Sequence, residues 1–365
     1  MPTFDSQDLQ RFLFDVFRAA GTDVRDASIV AQHLIDANLA GHDSHGAMRL
    51  VQYVEEIDAG RIRPRQQMQI IDAWECGGIV DGSGVFGQVA CHDAMQLAID
   101  KARTSSVAAV TLRNANHSGR LGTYVEMAAQ AGMIGLAMAN AGGAGQWVAP
   151  FGGCEPRLST NPLAFGAPSG KPFPVVLDMS TSIAPEGKVR NYLQREEPIP
   201  DGWLVDAAGQ SSNDPHQLYA TPPGALLPLG GMAGGHKGYG LGFMVDVFAG
   251  ALSAAGCPHG GTFDPLHGSG LFLLVIDIER FRVAREFIDQ VSGMADYVRS
   301  SKPAAGFERI LIPGEYEHEQ RERRRKQGID IPNSVWQAFR AVAKRFHNEQ
   351  HEILIPVPRN SEETA

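Results

Sequence analysis

Cysteine is scarce: Cys76, Cys91, Cys154 and Cys257 are the only four in 365 residues, and none forms a CxxC pair. That excludes a disulfide scaffold and a thiolate zinc cage, and it predicts reduced thiols in a cytoplasmic protein. Positive charge is not in excess either. Lys and Arg number 32 against 41 Asp and Glu, a net charge of -9. Phosphate recognition depends on clustered cations, so nucleic acid is not an expected partner. The one basic run, RERRRK at 321–326, alternates with acid and reads as a solvated helix face. No apolar run approaches the about 20 residues that span a bilayer, so no membrane partner is expected. The opening MPTFDSQDLQRFLFDVFRAAG has early acids and no unbroken apolar core, which does not suit a secretion signal. Internal repeats and low-complexity tracts are also missing.

What is present is periodicity. Leu9, Phe12, Leu13, Val16 and Phe17 recur at helical spacing behind Asp5 and Ser6 and ahead of Gly21. Residues 1–60 continue as helices, the second stopping at Gly41 and a third starting after Ser44. Beyond them QMQIIDAW and GGIVDG read as strands, QVACHDAMQLAIDKARTSS as a helix, VAAVTLRN as an apolar strand, TYVEMAAQAG as a helix and MIGLAMAN as a buried strand. From 140 to 270 Gly and Pro are frequent around the short strands PLAFGAP and PVVLDMSTS, and long functional loops are expected. YGLGFMVDVFAGALSAAG reads as a buried helix, GLFLLVIDIERF as a strand and AREFIDQVSGMADYVRSS as a helix. The tail NSVWQAFRAVAKRFHNEQ is amphipathic, with Val335, Phe339, Val342 and Phe346 on one face.

GSGVFG at 82–87 fits G-x-G-x-x-G between a strand and a helix, the pattern of a dinucleotide-binding loop. Two details disagree. The third glycine precedes the helix, and the next strand ends in Arg113 and Asn114 where an acid for a ribose hydroxyl would stand. A turn without a ligand satisfies the same pattern.

GHDSHGAMRL at 41–50 crowds His42, Asp43, Ser44, His45 and Arg49 together. With Ser44 as a helix N-cap, His45 falls in the first turn and Arg49 and Tyr53 continue its face. The positive helix end then lowers the His45 pKa and favours a neutral ring able to relay protons. Arg49 presents a flat donor pair matched to a carboxylate. The competing readings are an ordinary capped helix and a metal site. His42 and His45 point to different sides of a helix start, and HExxH spacing is absent. NANHSGRLGTY places His117 in a polar loop after a buried strand, a position where α/β proteins hold ligands or simply turn. NAGG, LSTNPLAFGAP, VLDMSTS and GGHKGYGL each join small polar residues to Gly or Pro at the end of an apolar run, and their main-chain N–H groups can cradle phosphate.

These segments, in this order, resemble the malate/L-lactate dehydrogenase family of NAD(P)-dependent 2-hydroxyacid oxidoreductases, in the branch of hydroxycarboxylate dehydrogenases acting on 2-oxo acids. The match runs from GHDSHGAMRLVQYVEEIDAGRIRP through DGSGVFGQVA, NANHSGRLGTY, STNPLAFGAP, LDMSTS and GGHKGYGL to LIPGEYEHEQRERRRKQGI. The resemblance implies an α/β protein with a non-Rossmann, largely antiparallel cofactor-binding sheet and a helical domain formed by both chain ends. It implies a helical domain at 1–72 completed by 315–365, a small α/β domain at 73–120, an NAD(P)-binding domain at 121–314, and a homodimer. It makes GSGVFG a structural loop. It places Asn140, Thr160, Asn161, Asp178, Met179, Ser180, His236, Lys237, Gly314 and Glu315 around NAD or NADP. Arg49, Ser44 and Tyr53 face a small 2-oxo acid substrate, with no metal. The proton role falls to His45 in some members and His117 in others, with His117 the first choice here. Ala184-Pro185-Glu186 departs from the family's small-residue run before Gly187 and Lys188. Reduction of a cyclic imine or a ureidoglycolate-type substrate is the alternative within the family. A metal-dependent hydrolase or lyase and an inactive binding protein are the alternatives outside it.

Overall fold

The computed structural model describes residues 1–261, 268–347 and 352–359. Helix α1 (Ser6–Ala19) starts where the Asp5 carboxylate accepts the N–H of Gln7 at 2.7 Å, which stops the first turn from leaving that donor orphaned. All five of its expected apolar positions are fully buried. They meet α10 (Asn333–Phe346) from the other end of the chain, with the Phe12 and Phe339 rings stacked 5.9 Å apart. Burying side chains of this size stabilises the fold by roughly 1.5–3 kcal/mol each. Strand β1 (Thr3–Phe4) pairs antiparallel with β12 (Ile329–Asp330), a short ladder that ties the two chain ends together. Helices α2 (Val24–Leu39) and α3 (Leu50–Asp58) complete this helical layer. The expected tail helix to 350 is seen through Phe346, and residues 348–351 and 360–365 lie outside the described residues.

The main sheet has seven strands: β2 (Gln69–Trp74), β3 (Gly77–Asp81), β4 (Val107–Ala115), β5 (Met133–Asn140), β6 (Leu163–Ala167), β7 (Val175–Met179) and β11 (Ser269–Asp277). Their order is β2-β3-β4-β11-β5-β6-β7. Only β3 and β4 run parallel, joined by α4 (Gly87–Ser105); every other pairing in this sheet is antiparallel. Helix α5 (Gly122–Gln130) packs on β5 and β6. One hydrophobic core runs from α1 and α10 through α2 and α4 into β4, β5 and β11.

The Gly- and Pro-rich stretch holds more regular structure than expected. It contains α6 (Glu186–Gln194) and a small sheet of β8 (Leu204–Val205), β9 (Ser211–Ser212) and β10 (Ala225–Leu226) with its own core around Val148, Val189 and Leu226. Helix α7 spans Gly231–Val245 and continues as a π-helical segment over Asp246–Leu252. The expectation of a buried helix here is corrected. Leu241, Phe243, Met244, Val247 and Leu252 are exposed, because this helix is apolar around its whole circumference and the chain covers only one side. Helices α8 (Ala284–Arg299) and α9 (Glu315–Gln327) follow. No helix among the described residues is long and apolar enough to cross a membrane.

Candidate active site

Alternating strand directions bring β4, β5 and β7 to an end, and β6 and β11 to a start, along one rim of the sheet. His117 follows β4, Asn140 ends β5, and Asp178 and Met179 end β7, so the rim gathers residues scattered along the sequence.

The turn carrying His45 is built differently from its sequence expectation. Residues Asp43–His45 and Ala47–Arg49 form two 3-10 turns, and α3 begins only at Leu50; the Ser44 side chain caps nothing. The cap comes from Asn38, 1% exposed near the end of α2. Its Oδ1 accepts the Ala47 N–H at 2.7 Å and its amide donates to Asp43 at 2.6 Å. Gly46 is required by this contact, since a Cβ there would lie 2.3 Å from Asn38 Oδ1. Arg324 of α9 fastens the turn from outside, with bonds to Asp43 at 2.6 and 3.0 Å and to the Asn38 carbonyl at 2.6 Å. His42 reaches Glu317 of the same helix at 3.4 Å. The basic run expected to be a solvated face therefore holds the His45 turn, while Arg323 and Arg325 of the same run remain exposed.

His117 is held from the core. Its Nδ1 lies 2.8 Å from the Tyr53 hydroxyl, which accepts from the Gln88 amide at 2.5 Å. Tyr53 and Gln88 are each 1% exposed, and the Tyr53 hydroxyl, expected against substrate, meets the histidine. The GSGVFG loop supports the same segment. A Cβ on Gly87 would fall 2.2 Å from the Asn116 carbonyl oxygen and 2.3 Å from that of His117. The Asn116 amide donates to the Gly84 and Val85 carbonyls. The space a pyrophosphate would use at this helix start is filled by the chain's own backbone. His33, buried in α2, accepts the Arg120 N–H at 3.0 Å and secures the far side of the loop.

The His45 and His117 rings lie 5.2 Å apart and 11° from parallel. Burial, reinforced by the nearby Arg49 charge, pulls His45 down to about 3 and His117 well below the usual imidazole range, so both are neutral bases in the free protein. This is not the helix-dipole effect expected from sequence, because α3 starts beyond Arg49. Arg49 is pinned by the Ser44 carbonyl at 2.7 Å and Gln52 at 2.6 Å, which leaves Nη2 for a ligand. Asp178 accepts the Gly122 N–H at 2.7 Å beside the buried Arg120. Burial still raises its carboxyl pKa against these two influences. Arg120 pairs with Glu126 at 2.9 Å, and Glu126 pairs in turn with Arg321 of α9 at 2.8 Å.

The residues expected around a cofactor divide into two groups. The Asn140 and Asn161 amides both donate to Asp246, at 3.1 and 2.7 Å, and so brace the π-helical segment. The Glu315 carboxylate is taken by Arg299 and by the Ile312 N–H, and Gly314 packs on the backbone of β7. Met179 packs against Leu163 and Val245. Thr160 receives the Thr181 N–H on its carbonyl, and Ser180 donates to the Ser182 carbonyl. His236 and Lys237 stand exposed on α7, His236 edge-on to Phe151. Between α7 and the turn after β5 lies a cavity of about 650 Å³ lined by Gln146, Arg157, Tyr239, Phe243, Asp246 and Cys257. No group of three His, Cys, Asp or Glu suited to a metal ion occurs among the described residues.

Sequence reasoning missed Gln88, Asn38, Arg324 and His33. Asn38 and His33 carried a usable signal, as polar residues inside the buried stripe of a helix. Gln88 and Arg324 had none, since their partners are 35 and 281 residues away.

A family profile described as malate/L-lactate dehydrogenase matches residues 4–340. The malate dehydrogenase of Pyrococcus abyssi is 40% identical over 351 residues, 93% of each chain. Hydroxycarboxylate dehydrogenase B of Escherichia coli O157:H7 is 36% identical over 346 residues, 94% of each chain. The solved malate dehydrogenase of Entamoeba histolytica has the same fold, with a TM-score of 0.88 at 31% identity, covering 94% of this chain and 98% of that one.

Proposed function

The chain belongs to the malate/L-lactate dehydrogenase family, oxidoreductases of hydroxy acids, and from that premise we propose that it moves a hydride between NAD or NADP and a small 2-hydroxy acid or its 2-oxo acid. The observation that carries this reading is the convergence of two neutral imidazoles with a pinned guanidinium. Arg49 takes the substrate carboxylate on its free edge. His117, anchored through Nδ1, turns Nε2 to the substrate oxygen, accepting its proton in oxidation and returning it in reduction. His45 orients the same oxygen. The carboxylate also cancels the Arg49 charge that lowers both rings, so His117 gains basicity when substrate arrives.

The nicotinamide cofactor, when bound, supplies or takes the hydride. The residues beside α7 fit such a group: Tyr239 and Phe243 offer flat apolar walls, and Arg157 and Lys237 offer cations for its phosphates. We include a homodimer in this reading, because the exposed apolar face of α7 suits a second copy.

The test is oxidation of NADH and of NADPH, followed by near-ultraviolet absorbance, with pyruvate, oxaloacetate, 2-oxoglutarate, phenylpyruvate and a cyclic imine, each with and without chelator. Turnover of an oxo acid that ignores chelator is the expected result. Turnover confined to the imine moves the assignment within the family, and silence throughout overturns it.

A further inference from the structure

Tyr53 and Gln88 form a buried polar thread from α4 through α3 to His117, and neither reaches the rim. One atom on the thread is left over: Gln88 Oε1 is buried with no hydrogen-bond partner. A buried acceptor without a donor is costly, and native interiors rarely keep one.

Proton counting explains it. With Gln88 donating to the Tyr53 oxygen, the arrangement that leaves no hydroxyl proton unpaired has Tyr53 donating to His117 Nδ1. His117 then carries its own proton on Nε2, and a ring in that tautomer cannot accept a proton from substrate. When Nε2 takes the proton of a substrate hydroxyl, the substrate carbon gives up its hydride to the nicotinamide acceptor and its C–O bond becomes a carbonyl. Nδ1 must then carry a proton as well. That proton can only point at the Tyr53 oxygen, so the hydroxyl proton of Tyr53 has to turn away to another acceptor. Gln88 Oε1 is that acceptor once the amide rotates by half a turn, which exchanges two groups of the same shape.

We propose that Gln88 is a positioning residue for the proton transfer, its amide rotating so that the Tyr53 hydroxyl can either donate to or accept from Nδ1 of His117, and so select the ring tautomer whose Nε2 is open to substrate. The inference rests on His117 being the proton carrier. The charged and titratable groups facing the thread are few. Arg49, His45 and His33 act on the His117 ring, and Arg49, Glu56 and Cys91 act on Tyr53. Gln88 adds no charge and changes only the direction of hydrogen bonds.

The primary experiment needs neither substrate nor cofactor. Ring-nitrogen chemical shifts are recorded on histidine-labelled protein near neutral pH, with the His117 signals assigned by their loss in His117→Gln. The unaltered protein is expected to show Nδ1 as acceptor and Nε2 protonated. Gln88→Glu, recorded at a pH where its carboxyl is ionised and can only accept from Tyr53, is expected to move the proton to Nδ1. Unchanged His117 shifts in Gln88→Glu overturn the proposal, whatever the enzyme turns over. With an active substrate in hand, Gln88→Met is expected to lower kcat by about 10–10²-fold, a fraction of what general acid–base catalysis contributes, and to leave KM within about threefold. Its kcat/KM profile should also shift along the pH axis. Should Gln88→Met fold poorly, Tyr53→Phe gives the same two readings. A pH profile and kcat that match the unaltered enzyme in the folded variant also overturn the proposal.

Discussion

The two histidines of the rim have similar surroundings and opposite supports. The His117 ring is fixed by a hydrogen bond to its own nitrogen, handed out from the core by Tyr53 and Gln88. The His45 ring receives no such bond, and its Nδ1 is buried without a partner. What is fixed there is the backbone, through Asn38 and Arg324 on either side of the turn. A bond to Nδ1 controls which nitrogen carries the proton, whereas a clamped backbone controls only where the ring sits. On the proposed mechanism this contrast favours His117 for the proton and His45 for orientation.

The most severe test of that division is truncation of each ring. His117→Ala is expected to lower kcat by about 10²–10⁴-fold. His45→Ala should chiefly raise KM, by about tenfold, the loss of a single hydrogen bond. Steady-state kinetics of both variants decides the matter, and a greater loss of kcat in His45→Ala would invert the assignment. Next in size, Arg49→Met should raise KM for the oxo acid by about 10²–10³-fold, as loss of a paired charge does. The two supports can then be weakened separately. Gly87→Ala forces a Cβ against the His117 loop and should cost about 1–3 kcal/mol, with kcat falling more than KM rises. Asn38→Ala should cost a similar 1–3 kcal/mol but act mainly on KM, because it loosens the His45 turn. Denaturant melts beside kinetics separate the two patterns, and equal effects on kcat and KM in both variants would erase the contrast.

The last test is with pH. His33, His45 and His117 all have depressed pKa values in the folded chain, His33 and His45 at about 3. The unfolded chain, with imidazoles near the ordinary 6.5, therefore binds more protons than the folded one at acid pH, and stability rises with pH. The full contribution is present above about 6.5 and is lost as pH falls from there toward the folded values. The melting temperature should drop between pH 7 and 5, and each of His33→Gln and His117→Gln should flatten that slope.

Much of this was legible in the chain. The Asp5 cap and the apolar stripe of α1, the strands at 107–115 and 133–140, and the amphipathic α10 follow from local periodicity, which responds to burial on one side. The crowding of His45 and Arg49, and His117 after a strand, were legible as candidates, and the fold brings the two rings within 5.2 Å. The π-helical end of α7 was not, and neither was the exposure of that helix, because an apolar run has the same composition whether it faces a core or an open surface. GSGVFG could not be decided from its own residues. Its glycines admit a close backbone, and nothing local says whether that backbone belongs to a ligand or to residues 116–117.

By itself, the sequence determined which residues could carry the chemistry and which segments would bury an apolar face, since side-chain type and spacing act over a few residues. Tertiary structure alone decided that β4 and α3 would meet at His117 and Tyr53, that a helix from near the chain's end would clamp the His45 turn, and that one imidazole would have its Nδ1 bound while the other would not. Those outcomes depend on directions and distances between segments remote in the chain, and a hydrogen bond exists only when both are right.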